Sequence, residues 1–189
     1  MQKFETGLTE AQLIEAFNTG ALFAYPTEAV FGFGCDPDNE QAVTELCALK
    51  QRSLAKGLIL IADNYSRLLP YVNDNAIPMD RRTEIFSSWP GAITWLLPKS
   101  DLAPNWITGE FTQIAVRVTT HPVVKELCQL FEKPLVSTSA NISGQPPICT
   151  VQQARQQFAD KVICIAGSTE GRASPSVIKD GISGQILRG

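Results

Sequence analysis

The six-residue run GLILIA at 57–62 restricts the fold more than any other segment. It is apolar at every position after its glycine, and it is strand-sized rather than helix-sized. A strand without alternation has no face to give to water. It predicts a central strand in a sheet covered on both sides, the arrangement of an α/β domain. The flanking sequence supplies the covers. Thr9 and Gln12 form a capping-box pattern, Leu13, Ile14 and Phe17 follow at helical spacing, and Gly20 ends the stretch. A second helix is predicted from 39 to about 50, with Val43, Leu46 and Cys47 on its inner face. Another starts at Pro122, the favoured first position, with Val123, Val124, Leu127, Cys128 and Phe131 as its apolar stripe. Thr150 with Gln153 marks a further helix start, and helical stretches are predicted near 64–72 and 80–89.

Strands are predicted at 21–25, 92–97, 135–138, 162–166, 176–179 and 185–188. The segment 114–119 alternates: Ile114, Val116 and Val118 point one way, Ala115, Arg117 and Thr119 the other. Helices and strands interleave, and some consecutive strands are close enough for hairpins. The expected fold is a single α/β domain over 1–189 with a mixed sheet and flanking helices.

Composition removes several functional classes. With 44% hydrophobic and 19% charged residues the chain is neither disordered nor a coiled coil. No apolar run approaches the ~18 residues of a membrane span, and the first residues carry no apolar targeting segment, so a cytoplasmic protein without membrane contact is expected. The five cysteines are odd in number and contain no Cys-x-x-Cys pair, which argues against a disulfide framework or zinc ribbon. The single histidine, His121, excludes most histidine-based metal and acid–base sites; it is expected to cap or precede the helix at Pro122. Gly32 and Gly34 are followed by Cys35-Asp36-Pro37, which cannot open a helix, so they are no dinucleotide-binding fingerprint.

Polar and cationic residues collect at strand ends and in the loops after them, where α/β sheets hold ligands. Lys50, Arg52 and Lys56 leave a helix end and enter the buried strand. Either Lys50 complements the helix C-terminus while the others are solvated, or the three form an anion clamp. Ser137, Thr138, Ser139 and Asn141 make either a plain polar turn or a set of donors for phosphate or carboxylate oxygens, and the flank 144–147 makes that loop sharp. Arg117, in mid-strand, faces solvent or meets a buried anion. Thr27 is a turn residue or caps a ligand group.

Four segments, AYPTEAVFGFGCD, LKQRSLAKGLILIA, AVRV and STSANISGQPP, follow in an order and spacing that resemble the YrdC family of threonylcarbamoyl-adenylate synthases in its short, single-domain TsaC form. The match runs from about residue 9 to the end. It implies a twisted mixed sheet around a concave active-site cleft. It also implies an enzyme that converts L-threonine, bicarbonate and ATP to threonylcarbamoyl-AMP and diphosphate, for N6-threonylcarbamoyladenosine at tRNA position 37. By the same resemblance Lys50, Arg52 and Lys56 line the triphosphate and stabilise charge without a protein nucleophile. Ser139, Asn141 and Arg188 join Arg52 and Lys56 in binding ATP, and Thr27, Arg117, Ser137 and Ser176 hold threonine or its carbamate. Mg²⁺ arrives with ATP, with no metal site from the protein and no prosthetic group. The implied partners are the transferase TsaD with TsaB and TsaE, and the tRNA itself. Longer relatives carry a histidine where this chain has Ile61, and any lid must come from loops such as 170–175. The rival readings are a non-catalytic RNA-binding module, disfavoured by the net charge of −3, and an ATP-dependent ligase or carbamoyl transferase for another amino acid.

Overall fold

The computed structural model describes residues 4–171 and 175–188. Nine strands form one mixed sheet: β1 (Phe23–Pro26), β2 (Phe31–Gly34), β3 (Ile59–Ala62), β4 (Ile93–Pro98), β5 (Gln113–Val118), β6 (Leu135–Ser139), β7 (Ile163–Cys164), β8 (Val177–Asp180) and β9 (Ile186–Arg188). Their order is β7-β1-β2-β6-β3-β5-β4-β8-β9. β3 lies in the middle, parallel to β5 and antiparallel to β6. β1–β2 and β8–β9 are the hairpins.

The two faces of β3 enter different cores. Leu60 packs with Phe33, Trp95, Val116 and Val136, while Ile61 packs with Phe23, Tyr25, Leu127 and Leu135. This is the double cover that the unalternating run required. On the Leu60 face lie α2 (Glu40–Lys50), α3 (Met79–Ser87), α4 (Asn105–Thr108) and α6 (Val151–Phe158). On the Ile61 face lie α1 (Glu10–Asn18) and α5 (Pro122–Phe131). Phe17 of α1 stacks on Phe131 of α5 with ring centroids 4.0 Å apart. Both capping boxes form, Thr9 with Gln12 and Thr150 with Gln153.

Two local expectations are corrected. The glycine-bearing segment after β1 is a strand, β2, rather than a loop. A Cβ on Gly34 would stand 2.2 Å from the Val136 carbonyl oxygen and 2.8 Å from the Tyr25 ring, so glycine here marks close approach of backbones. The stretch 64–72 is a short 3₁₀ turn (Tyr65–Arg67) followed by turns, since Asn64 caps it and Pro70 follows too soon for a helix. The short α4 carries no periodicity to read. His121 precedes α5 at its N-cap position, as expected, without a side-chain cap; its ring is buried, with Nε2 3.1 Å from the Ser168 carbonyl.

Candidate active site

α1 and α5 cover only part of the Ile61 face. Along β6, Leu135 lies beneath them, but Ser137 and Ser139 on the same face do not. Beside them the register sets Ile59 next to Ala115 and Ser137, and Ala115 next to Leu96. These residues floor a cavity of about 630 Å³, within the ~300–1,000 Å³ of small-molecule sites. The alternation of β5 acquires its meaning here: Ile114, Val116 and Val118 enter the core, while Ala115 and Arg117 face the cavity.

Eight of the ten residues that the resemblance assigns to the site line this cavity: Thr27, Arg52, Lys56, Arg117, Ser137, Ser139, Ser176 and Arg188. Thr27 acts as a turn residue at its rim, its hydroxyl donating to the Val30 carbonyl at 2.7 Å. Arg52 is anchored by Nη2 on the Gly57 carbonyl at 2.9 Å, and its buried Nε has no partner among the described residues. Arg188 donates to the Ser176 carbonyl at 3.0 Å, and the Ser176 hydroxyl meets that of Thr94 at 2.8 Å. Burial, with Arg117 and then Arg52 nearby, holds the Arg188 guanidinium below its usual pKa. Three guanidiniums therefore crowd one space, a field that favours anions.

Lys50 and Asn141 are not brought onto the cavity wall. The Lys50 ammonium is 3% exposed and donates to the Ser139 carbonyl, to the Asn141 carbonyl at 2.9 Å and to Asn141 Oδ1 at 3.3 Å. Asn141 Oδ1 also accepts from the Ser139 hydroxyl at 2.6 Å, and its Nδ2 donates to the Gln145 carbonyl at 2.7 Å. Together they latch the loop after β6 from behind and fix where Ser139 stands. Burial, and then Arg52, lower the Lys50 pKa to about 8. Ile61 is wholly enclosed in the α1/α5 core and does not reach the cavity. Of the loop 170–175, expected to form a lid, residues 172–174 lie outside the described residues, as does the closing Gly189.

The sequence reading missed Glu28. Its carboxylate is the buried anion that Arg117 meets, with Arg117 Nη2 2.9 Å from Oε2 and the Thr119 hydroxyl 2.6 Å from Oε1. The available signal was one acidic residue in the otherwise uncharged YPTEAVFGFG. Only its pairing across 89 residues gives it meaning. Among the described residues it is the one carboxylate on a cavity that carries four cations, and no cluster of three His, Cys, Asp or Glu side chains is placed to hold a metal. No described helix is long and apolar enough to cross a membrane.

The Sua5/YciO/YrdC family model, described as telomere recombination, matches residues 15–189. A protein of Pseudoalteromonas atlantica named threonylcarbamoyl-AMP synthase is 61% identical over 180 residues, covering 95% of this chain and 96% of its own. One of the same name from Yersinia enterocolitica is 49% identical over 188 residues, covering 100% and 99%. The crystal structure of P. abyssi Sua5 complexed with L-threonine superposes with a TM-score of 0.79 at 31% identity over 92% of this chain. This chain spans 52% of that longer one. E. coli YciO has the same fold, with a TM-score of 0.79 at 20% identity over 95% of this chain and 87% of its own.

Proposed function

This chain belongs to the Sua5/YciO/YrdC family, and from that membership we propose that it is a threonylcarbamoyl-AMP synthase. It joins L-threonine, bicarbonate and ATP into threonylcarbamoyl-AMP with release of diphosphate, as a nucleotidyltransferase whose single domain spans 1–189. The observation that carries the reading is the convergence of Arg52, Lys56, Arg117 and Arg188 with the hydroxyls of Ser137 and Ser139 on one cavity. The relatives' shared name supports it.

The chemistry asks for such a wall. The threonine amine and bicarbonate give a carbamate and water; a carbamate oxygen then attacks the α-phosphorus and diphosphate leaves. No protein nucleophile is needed. The protein must hold two anionic reactants together and spread the charge that builds on the leaving group. Arg52, Lys56 and Arg188 take the phosphates, with magnesium entering as part of the ATP substrate. Ser139 stands beside the nucleotide, on a loop that Lys50 and Asn141 hold in place. Arg117 takes the threonine carboxylate, with Thr27, Ser137 and Ser176 around the rest of the amino acid. The product passes in the cytoplasm to a TsaD, TsaB and TsaE transferase and onto tRNA position 37.

Diphosphate release tests this. Release from Mg·ATP that needs both threonine and bicarbonate is expected. Folded protein that gives no release but retains RNA would replace the synthase with the RNA-binding reading.

A further inference from the structure

The buried pair of Glu28 and Arg117 is unexplained by packing. Replacing such a pair with apolar groups of similar volume generally costs no stability. Here it faces a cavity rather than a core, and both partners keep unused capacity. Among the described residues the Arg117 guanidinium spends one of its donors on the protein, at Glu28 Oε2. The carboxylate accepts from Arg117 and from Thr119, leaving lone pairs free. Thr119 is itself fixed, since its hydroxyl also accepts from the His121 backbone N–H at 3.0 Å. Glu28 is thus a rigidly held carboxylate, 5% exposed, in a cavity whose other charged lining residues are all cations.

A site for phosphates alone has no use for that carboxylate, which repels them. A zwitterion does. An α-amino acid carries its carboxylate and its ammonium on one carbon, and an adjoining guanidinium and carboxylate match that arrangement charge for charge. We propose that Glu28 is a substrate-binding residue that receives the α-ammonium of the amino acid whose carboxylate lies on Arg117. The assignment rests on the synthase reading and adds the second half of its amino-acid receptor. It also gives the site a way to reject organic acids that lack the amine, since they would set a second carboxylate near Glu28 with no ammonium to meet it.

The test compares binding of L-threonine with that of 3-hydroxybutyrate of the same configuration at its hydroxyl carbon, by titration calorimetry with Mg·ATP analogue present. The two ligands differ by the ammonium alone. The unaltered protein prefers threonine, by about 10- to 100-fold for one charge-assisted hydrogen bond. In Glu28→Gln that preference collapses towards unity while the Mg·ATP analogue still binds. A Glu28 that merely steadied Arg117 would weaken both ligands alike and leave their ratio intact, and that result overturns the proposal. Should Glu28→Gln fail to fold, Glu28→Asp keeps the charge and is expected to keep a preference for threonine; equal binding of the two ligands there refutes it. Equal binding to the unaltered protein refutes it without any variant. Binding of neither ligand, with no diphosphate release, overturns the synthase reading itself.

Discussion

Lys56 and Lys50 lie six residues apart and should fail in opposite ways. Lys56 ends the 3₁₀ turn Leu54–Lys56, is exposed at the cavity wall, and makes no side-chain hydrogen bond or ion pair among the described residues. Its removal orphans nothing, so Lys56→Ala should alter stability by no more than about 0.5 kcal/mol, or about 2 °C in Tm at this chain length. If its ammonium meets a phosphate, the lost charge-assisted contact is worth about 1.5–3 kcal/mol, a fall in ATP affinity of roughly 10- to 100-fold. Lys50→Ala removes the donor shared by two carbonyls and an amide oxygen; the Ser139 carbonyl keeps the Asn141 N–H and Asn141 Oδ1 keeps the Ser139 hydroxyl, so the Asn141 carbonyl is the acceptor left unpaired. At ~1–3 kcal/mol for that one unsatisfied group, partly offset by relief of a buried charge, about 1–2 kcal/mol of stability is lost. Thermal unfolding and ATP titration on the same samples separate the two. A Lys56→Ala protein that melts far below its parent yet binds ATP normally would assign Lys56 to the fold and undo the reasoning.

The remaining outcomes rest on separate contacts. Arg117→Ala abandons the Glu28 carboxylate in a buried place, which costs about 3–5 kcal/mol; adding Glu28→Gln should recover part of it, and strictly additive single effects in denaturant unfolding would deny the coupling. In enzyme soluble enough to assay, Arg117→Ala raises the threonine requirement far more than the ATP requirement, whereas equal rises would remove Arg117 from the carboxylate. Gly34→Ala drives a methyl into the Val136 carbonyl and the Tyr25 ring, so a loss of about 3 kcal/mol is expected, and an unchanged Tm would contradict that packing. Burial raises the Cys128 thiol to about 12. The unfolded chain then sheds that proton near pH 8.5 while the folded chain keeps it. The Cys128 contribution is complete below pH 8.5 and falls by about 1.4 kcal/mol per pH unit towards 12, so unfolding curves of Cys128→Ala should show a shallower alkaline slope than the parent.

The parts of this fold legible in the sequence are those fixed by local periodicity. GLILIA, the alternation of 114–119 and the stripe of α5 each state their own burial. β2 is different: its glycines read as loop chemistry because their cause is a tyrosine ring and a carbonyl from other strands. The site divides in the same way. Arg52, Lys56, Arg117 and Arg188 announce themselves as cations beside buried strands. Lys50 looks like one more member of that set, and only its contacts 89 and 91 residues away turn its ammonium towards a loop. Glu28 needed a partner at equal distance before it meant anything.

The position of the site follows from where strands stop being apolar on one face. β6 runs from Leu135, sealed under α5, to Ser137 and Ser139, open to the cavity, within five residues. β5 adds Ala115 and Arg117 on that same face. A third helix laid over this end would strand Arg52, Arg117 and Arg188 in a low dielectric with a single carboxylate among them, a cost no packing gain offsets. The sheet therefore stays uncovered there, and burial, then the neighbouring Arg117 and Arg52, holds the Arg188 guanidinium below its usual pKa. In the synthase proposed above, the same charges that forbid a cover favour a polyphosphate and, through Glu28, the one reactant that also carries a positive charge.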